Sequence, residues 1–172
     1  METNPRLFLL DSENLLRVRS RVFLGDERFV AADERLLEAA NAALTARPFS
    51  VVEKEGDPPS KDRRDYMSLA PHWWPDPEKE GGWPYVLKTG EVNRECEAYD
   101  QPRLVALCTA VSTLSTAYFF SDFEDFAERA ALLLRIFFLD EQTGMNAHME
   151  YGQAIRGHCQ GRAEGILEAH GF

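Results

Sequence analysis

Apolar positions recur at spacings of three and four in five stretches of this chain, the period of a helix with one buried face. After Asp11 and Ser12, both suited to capping a helix start, come Leu15, Val18 and Val22. From Asp26, a second helix is predicted from Phe29, Leu36, Leu37, Ala40 and Leu44, ending before Pro48. Leu104, Leu107, Cys108, Val111 and Leu114 mark a third helix over 102–120. Phe126, Leu133 and Phe137 mark a fourth over 122–139. A weaker pattern runs from Arg162 to Ala169. Helices joined by one or two residues must fold back on each other. The third and fourth therefore form an antiparallel hairpin, and the first two form another around Gly25. The expected fold class is all-α, built of such hairpins.

Between the hairpins, from Phe49 to Gln101, the period is lost. Pro58, Pro59, Pro71, Pro75, Pro77 and Pro84 break both helix and central strand. A connection this long inside one domain is normally functional. Its densest part, DYMSLAPHWWPDP, carries Tyr66, Met67, Trp73 and Trp74, with Trp83 soon after. Two readings stand side by side: the rings plug the end of a helical framework, or indole faces stack on the apolar C–H faces of sugar rings.

A second irregular stretch, Gly144 to Arg162, is polar instead. Asn146, His148, Tyr151, Gln153, His158, Gln160 and Arg162 crowd it, with glycines that allow tight bends. Amide groups offer donors and acceptors, and an arginine offers a fork that fits a carboxylate. The residue types fit a binding site and a buried polar network equally. His148, His158 and His170 match no helix-face metal pair, and Cys159 beside His158 lacks a third group that would activate it. Asp62, Asp65, Asp76 and Glu78 read as turn formers in a chain this rich in acids.

Charge narrows the partners. With 19 basic and 29 acidic residues the net charge is −10, which argues against nucleic acid. Local basic clefts survive salt screening, and Arg63, Arg64, Arg103, Arg156 and Arg162 could line one. Three cysteines without paired spacing imply neither a disulfide framework nor a zinc site. The first residues lack the basic start and long apolar run of a signal peptide. No segment reads as a membrane span.

Three strings together resemble the alginate lyase family of polysaccharide lyases: SKDRRDYMSLAPHWWPDP, GGWPYVLKTGEVN, and the run from Tyr118 through LLLRIFFLDEQTGMNAHMEYGQAIRGHCQGRAEGI. They occur in the family's order and span most of residues 48–168. The resemblance implies an incomplete (α/α) toroid with one long Pro- and Trp-rich loop, and a groove for an acidic polysaccharide such as alginate. It implies cleavage by β-elimination: a neutralised C6 carboxylate makes the C5 proton removable, and a Tyr or His takes it. No cofactor is implied. Asn146, Tyr151, Gln153 and Arg162 match the family's polar string and are candidate carboxylate and hydroxyl contacts. Tyr66, Trp73 and Trp74 match the loop string and are candidates for lining the groove.

The chain departs from the family pattern in places. Lys61, Arg63 and Arg64 replace a glycine, then a lysine and histidine. Phe137 replaces a common tryptophan, and Ala147 and Arg156 stand where prolines are common. The family's Asn-His pair and Arg–Tyr set lie further downstream, so residues 1–172 are expected to be the N-terminal portion of the family domain, without its catalytic portion. Such a chain is expected to supply substrate-binding parts only, to be inactive alone, and to self-associate through exposed helix faces. An inactive carbohydrate-binding domain and a plain helical interaction module are the alternatives. The resemblance also implies a periplasmic or secreted location.

Overall fold

In the computed structural model, which describes residues 10–162, the protein is mostly helical. The chain forms two compact units. One holds residues 10–46 together with Ser112–Arg129. The other holds Arg47–Val111 and residues 130–162.

In the first unit, α1 (Ser12–Phe23) starts at Asp11, whose carboxylate accepts from the backbone N–H of Glu13 at 2.9 Å and Asn14 at 3.3 Å. Gly25, at φ +75°, ends it in a left-handed turn that a side chain would strain. Asp26 then caps α2 (Glu27–Thr45). The two helices pack together, with Val18 and Val22 facing Phe29, Ala32 and Leu36 across a cleft of about 100 Å³ that Phe120 also lines. Burial is thin: α1 has no fully buried residue and α2 only Ala40.

Helices α3 (Asp100–Ser121) and α4 (Glu124–Leu134) contribute to both units. Leu104, Leu107, Leu114 and Ala117 of α3 are buried, as are Phe126, Ala130 and Leu133 of α4. A π-helical turn, Arg135–Leu139, continues α4 and buries Phe137. The chain then stops helping itself to helix. Asp140 accepts from the N–H of Gln142 and Thr143, and Gly144 comes so close to Asp140 that a Cβ there would sit 2.5 Å from the Asp140 carbonyl oxygen. The predicted helices 1–4 are thus present to within a few residues. The weak pattern over 162–169 and His170 lie outside the described residues.

One expectation fails. By length and composition alone, α3 is long and apolar enough to cross a membrane. No charge falls between Arg103 and Asp122. Moreover, Thr116 and Ser121 return their hydroxyls to the carbonyls of Ser112 and Ala117, at 2.7 Å each.

The second unit also corrects a purely α reading. The long loop contributes three short strands: β1 (Met67–Leu69), β2 (Trp73–Trp74) and β3 (Val86–Leu87). The polar stretch contributes β4 (Tyr151–Ala154). β2 and β3 pair antiparallel, Trp73 opposite Leu87. β1 and β4 pair in parallel, Met67 opposite Tyr151 and Leu69 opposite Ala154, with an irregularity between. The two irregular stretches therefore join each other.

Beneath them lies a buried ion pair. Lys54 and Asp100 have no exposed side-chain surface and sit 3.1 Å apart. The Lys54 ammonium also donates to the carbonyls of Val51 and Arg63, and Asp100 accepts from the Met67 N–H at 2.9 Å. One charge pair so ties the loop's start, β1 and the head of α3. Burial raises the Asp100 carboxyl to about 6 against the pull of Lys54, and burial lowers the lysine against the pull of Asp100.

Candidate functional site

The candidate residues lie in the second unit, in three groups. The first gathers around Asp65, a buried carboxylate. It accepts from Ser60 Oγ at 2.6 Å, Asn146 Nδ2 at 2.5 Å and His148 Nε2 at 2.9 Å. Burial alone would raise this acid; the bonds from Asn146 and Ser60, with the His148 imidazole, outweigh it and hold it below the ordinary carboxylate range. Asn146 Nδ2 also reaches Asp62 at 3.0 Å, and its backbone N–H donates to the Arg64 carbonyl at 2.9 Å. The amide donors of Asn146 are therefore spent on two carboxylates. Of the two readings of the polar stretch, the network describes this residue. Tyr151 meets the edge of the His148 ring at a 6.2 Å centroid separation.

The second group is set by β4. Strand alternation buries Gly152 and Ala154 and leaves Tyr151 and Gln153 half-buried on the opposite face. Gln153 is held at φ +50° with its N–H on Ser68 Oγ at 2.8 Å. Its Oε1 accepts from Arg162 Nη2, and the Arg162 N–H returns to the Gly152 carbonyl at 2.9 Å. Structure thus brings Gln153 and Arg162 together, and puts Tyr151 on the same strand face as Gln153.

The aromatic loop divides. Tyr66 is 0% exposed, and a ring without accessible surface cannot line a groove; as a groove-lining candidate it is corrected to a core residue. Trp73 and Trp74 are half-buried on successive strand positions, so they face opposite sides. Trp73 packs against Ala70, Tyr85 and Ile155 and meets the His158 ring edge-on at 5.0 Å. Trp74 lies under the Lys88 ammonium, 5.1 Å from ring centre, and donates its Nε1–H to the Glu91 carbonyl at 3.4 Å. Trp83, 52% exposed, is the most open of the three.

The third group includes residues that the sequence reading named but did not bring together. A cavity of about 560 Å³ is lined by Trp83, Met67, Asp57 and His158, and a second of about 750 Å³ by Glu55, Arg94, Glu95 and Glu97. Gly56, Tyr99 and Arg156 line both. Arg156 Nη2 donates to the Tyr99 hydroxyl at 2.6 Å and Nη1 to that of Tyr85 at 3.4 Å; Glu95 lies 3.7 Å away. Tyr85 in turn donates to Glu95 at 2.6 Å, and burial with that bond pushes the Tyr85 phenol up to about 12. The signal available in the sequence was Arg156 itself, one of the five arginines read as able to line a basic cleft.

Of the other arginines grouped as a basic cleft, three are turned to the backbone. Arg63 bonds the Val52 carbonyl and Asp57, Arg64 the Gly144 carbonyl, and Arg103 the carbonyls of Tyr99 and Glu53. Asp62 and Asp76 each cap a turn as expected, accepting from Arg64 N–H and Glu78 N–H at 2.9 Å. Asp65 exceeds that expectation and organises the site. Among the described residues no group of three His, Cys, Asp or Glu side chains is placed to hold a metal ion.

A mostly helical protein whose two irregular stretches combine into an aromatic and polar surface is the class this geometry defines. The family model described as alginate lyase matches residues 50–172, and the chain belongs to that family. The crystal structure of an alginate lyase from Bacteroides ovatus, at 1.60 Å resolution, is similar to this chain with 38% sequence identity and a TM-score of 0.89. The match covers 92% of this chain and 42% of that one, so the chain spans less than half the length of the relative. No curated protein matches it.

Proposed function

We propose that this chain supplies the substrate-holding part of an (α/α) toroid polysaccharide lyase, acting on an acidic uronate polymer such as alginate by β-elimination. The observation that carries the reading is the family membership, joined to a 38% identical structural match. In the proposal, Tyr151, Gln153 and Arg162 contact uronate carboxylate and hydroxyl groups, and Trp73 and Trp74 line the path of the polymer. Asn146 acts through the shape it gives the Asp65 cluster. Bonding a uronate carboxylate to an arginine withdraws charge from C5 and stabilises the enediolate-like intermediate. The base and acid are assigned to the part of the relative's length that this chain does not span. The same reading places the protein in the periplasm or outside the cell and has the isolated chain self-associate.

Release of the unsaturated uronide, read at roughly 235 nm as an enoate product of elimination, tests it. Mannuronate, guluronate and glucuronate polymers are offered to residues 1–172 and to a protein extended to the relative's full length. The extended protein is expected to turn over at least one of them and the 172-residue chain none. Robust turnover by the chain alone would overturn the substrate-holding role, and no product from the extended protein would overturn the lyase reading.

A further inference from the structure

We propose that Arg156 forms a carboxylate-binding subsite, with Trp83 as its sugar-stacking wall. The ligand is a hexuronate unit of a glycan, seated in the 560 Å³ cavity. The inference rests on the polyuronate reading above but uses none of the family's polar string.

The site is built rather than incidental. Arg156 stands at the tip of a tight turn closed by the bridge between Ile155 and Cys159, whose N–H and C=O groups bond in both directions at 3.0 and 2.9 Å. Its own carbonyl accepts from the Tyr85 N–H at 2.9 Å. Gly157, at φ +83°, lets the turn lie on Pro84: a Cβ there would fall 2.6 Å from Pro84 Cα. A Cβ on Gly56 would fall 2.7 Å from the Tyr99 hydroxyl oxygen. Close packing at the two glycines thus fixes the turn and the Tyr99 ring, and the two phenols orient the guanidinium, 5.8 Å from the Tyr85 ring centre and 6.0 Å from that of Tyr99.

The charge of Arg156 is poorly matched by the protein. Two of its contacts are neutral hydroxyls. The one carboxylate in reach, Glu95, stands 3.7 Å off and is engaged by Tyr85 at 2.6 Å. Among the described residues its Nε–H has no protein partner, so the fork keeps donors for a ligand carboxylate. Local charge decides which cavity the ligand enters. The 750 Å³ cavity carries Glu55, Glu95 and Glu97 against Arg94, an acidic excess that disfavours an anion there. In the 560 Å³ cavity the acid is Asp57, already paired with Arg63 at 2.6 Å. That side also presents the open indole of Trp83, edge-on to Tyr85 at 6.2 Å. Guanidinium and indole together fit a pyranose bearing a carboxylate: charge for C6, an apolar face for the ring.

The test is binding by the 172-residue chain, measured by calorimetry and Trp fluorescence. The probes are tetramers of mannuronate, guluronate and glucuronate, each beside its carboxyl-reduced neutral counterpart. At least one acidic tetramer is expected to bind about tenfold tighter than its neutral form, the scale of one charge-assisted fork. Arg156→Gln is expected to abolish that preference without changing neutral binding, and Arg156→Lys to keep part of it. Glu95→Gln, which removes the loose competitor, is expected to tighten acidic binding about two- to threefold at low salt. The proposal is overturned if wild type shows no acid preference, or if Arg156→Gln keeps it or weakens both forms alike. Should Arg156→Gln fail to fold, no tightening in Glu95→Gln overturns it instead. Acid binding indifferent to Arg156 would sink the subsite and leave the polyuronate reading standing. Arg156-dependent binding with no enoate from the extended protein would do the reverse.

Discussion

The two units of this chain are held together by different physics. In the unit of α1, α2 and residues 112–129, helices are specified locally, by caps and period, and little of their surface is buried. Phe23 is 91% exposed and Leu24 75%, and its ion pairs, such as Arg19 with Asp122, lie at the surface. In the unit of residues 47–111 and 130–162, short irregular segments meet across 80 or more positions of sequence, as Ser68 does with Gln153 and Asp65 with Asn146. There the fixed points are a buried ion pair, close backbone approaches and a shared carboxylate. The lesson is that a helix needs only its neighbours, whereas a loop that carries chemistry must be pinned from outside itself.

The sharpest break in that comparison is a lysine exchanged for an apolar residue. Lys54→Met leaves Asp100 buried without its partner and is expected to cost about 3–5 kcal/mol. Arg19→Ala, at an exposed pair, should cost less than about 1 kcal/mol. Urea unfolding measures both, and equal losses would erase the distinction between the units. Close approach gives the next contrast. Gly161→Ala would put a Cβ 1.8 Å from the Glu150 carbonyl oxygen, and about 3 kcal/mol or more is expected from such overpacking. Gly25→Ala meets nothing within 4 Å and bears only its φ of +75°, about 1–2 kcal/mol. Thermal melts of the two variants should separate in that order.

The smallest effect is a pH slope. The Asp65 carboxyl is held below the 3.8 of an unperturbed aspartate, so the folded state binds its proton less readily than the unfolded chain. Its contribution is therefore present above 3.8 and lost as pH falls through the lowered value. Asp65→Asn should flatten the acid side of the stability curve in that range and leave the slope above pH 5 unchanged. An unaltered acid limb would show that Asp65 does not anchor the cluster.

Much of the helical part was legible beforehand because period, Asp caps and breakers act within a few residues: Asp11, Asp26 and Pro48 mark ends that the structure keeps. The loop's importance was legible too, from prolines and rings that no regular element could absorb. Its order was not. Tyr66 and Trp73 look alike as loop aromatics, yet one is sealed in the core and the other half-open, since burial depends on what the rest of the chain brings against each ring. Asn146 read as a ligand donor because amides serve networks and ligands equally; only the approach of Asp62 and Asp65 assigned its donors.

By itself, then, the sequence determined the helices, the turn that packs α1 against α2, the irregular loop, and through its motifs the family. Tertiary structure alone decided the parallel pairing of β1 with β4, the burial of Lys54 against Asp100, and the meeting of Tyr85, Glu95, Tyr99 and Arg156. The reason is distance along the chain. Helical order is encoded within one or two turns, but a contact between segments 46 to 85 residues apart exists only once folding has closed the loop between them.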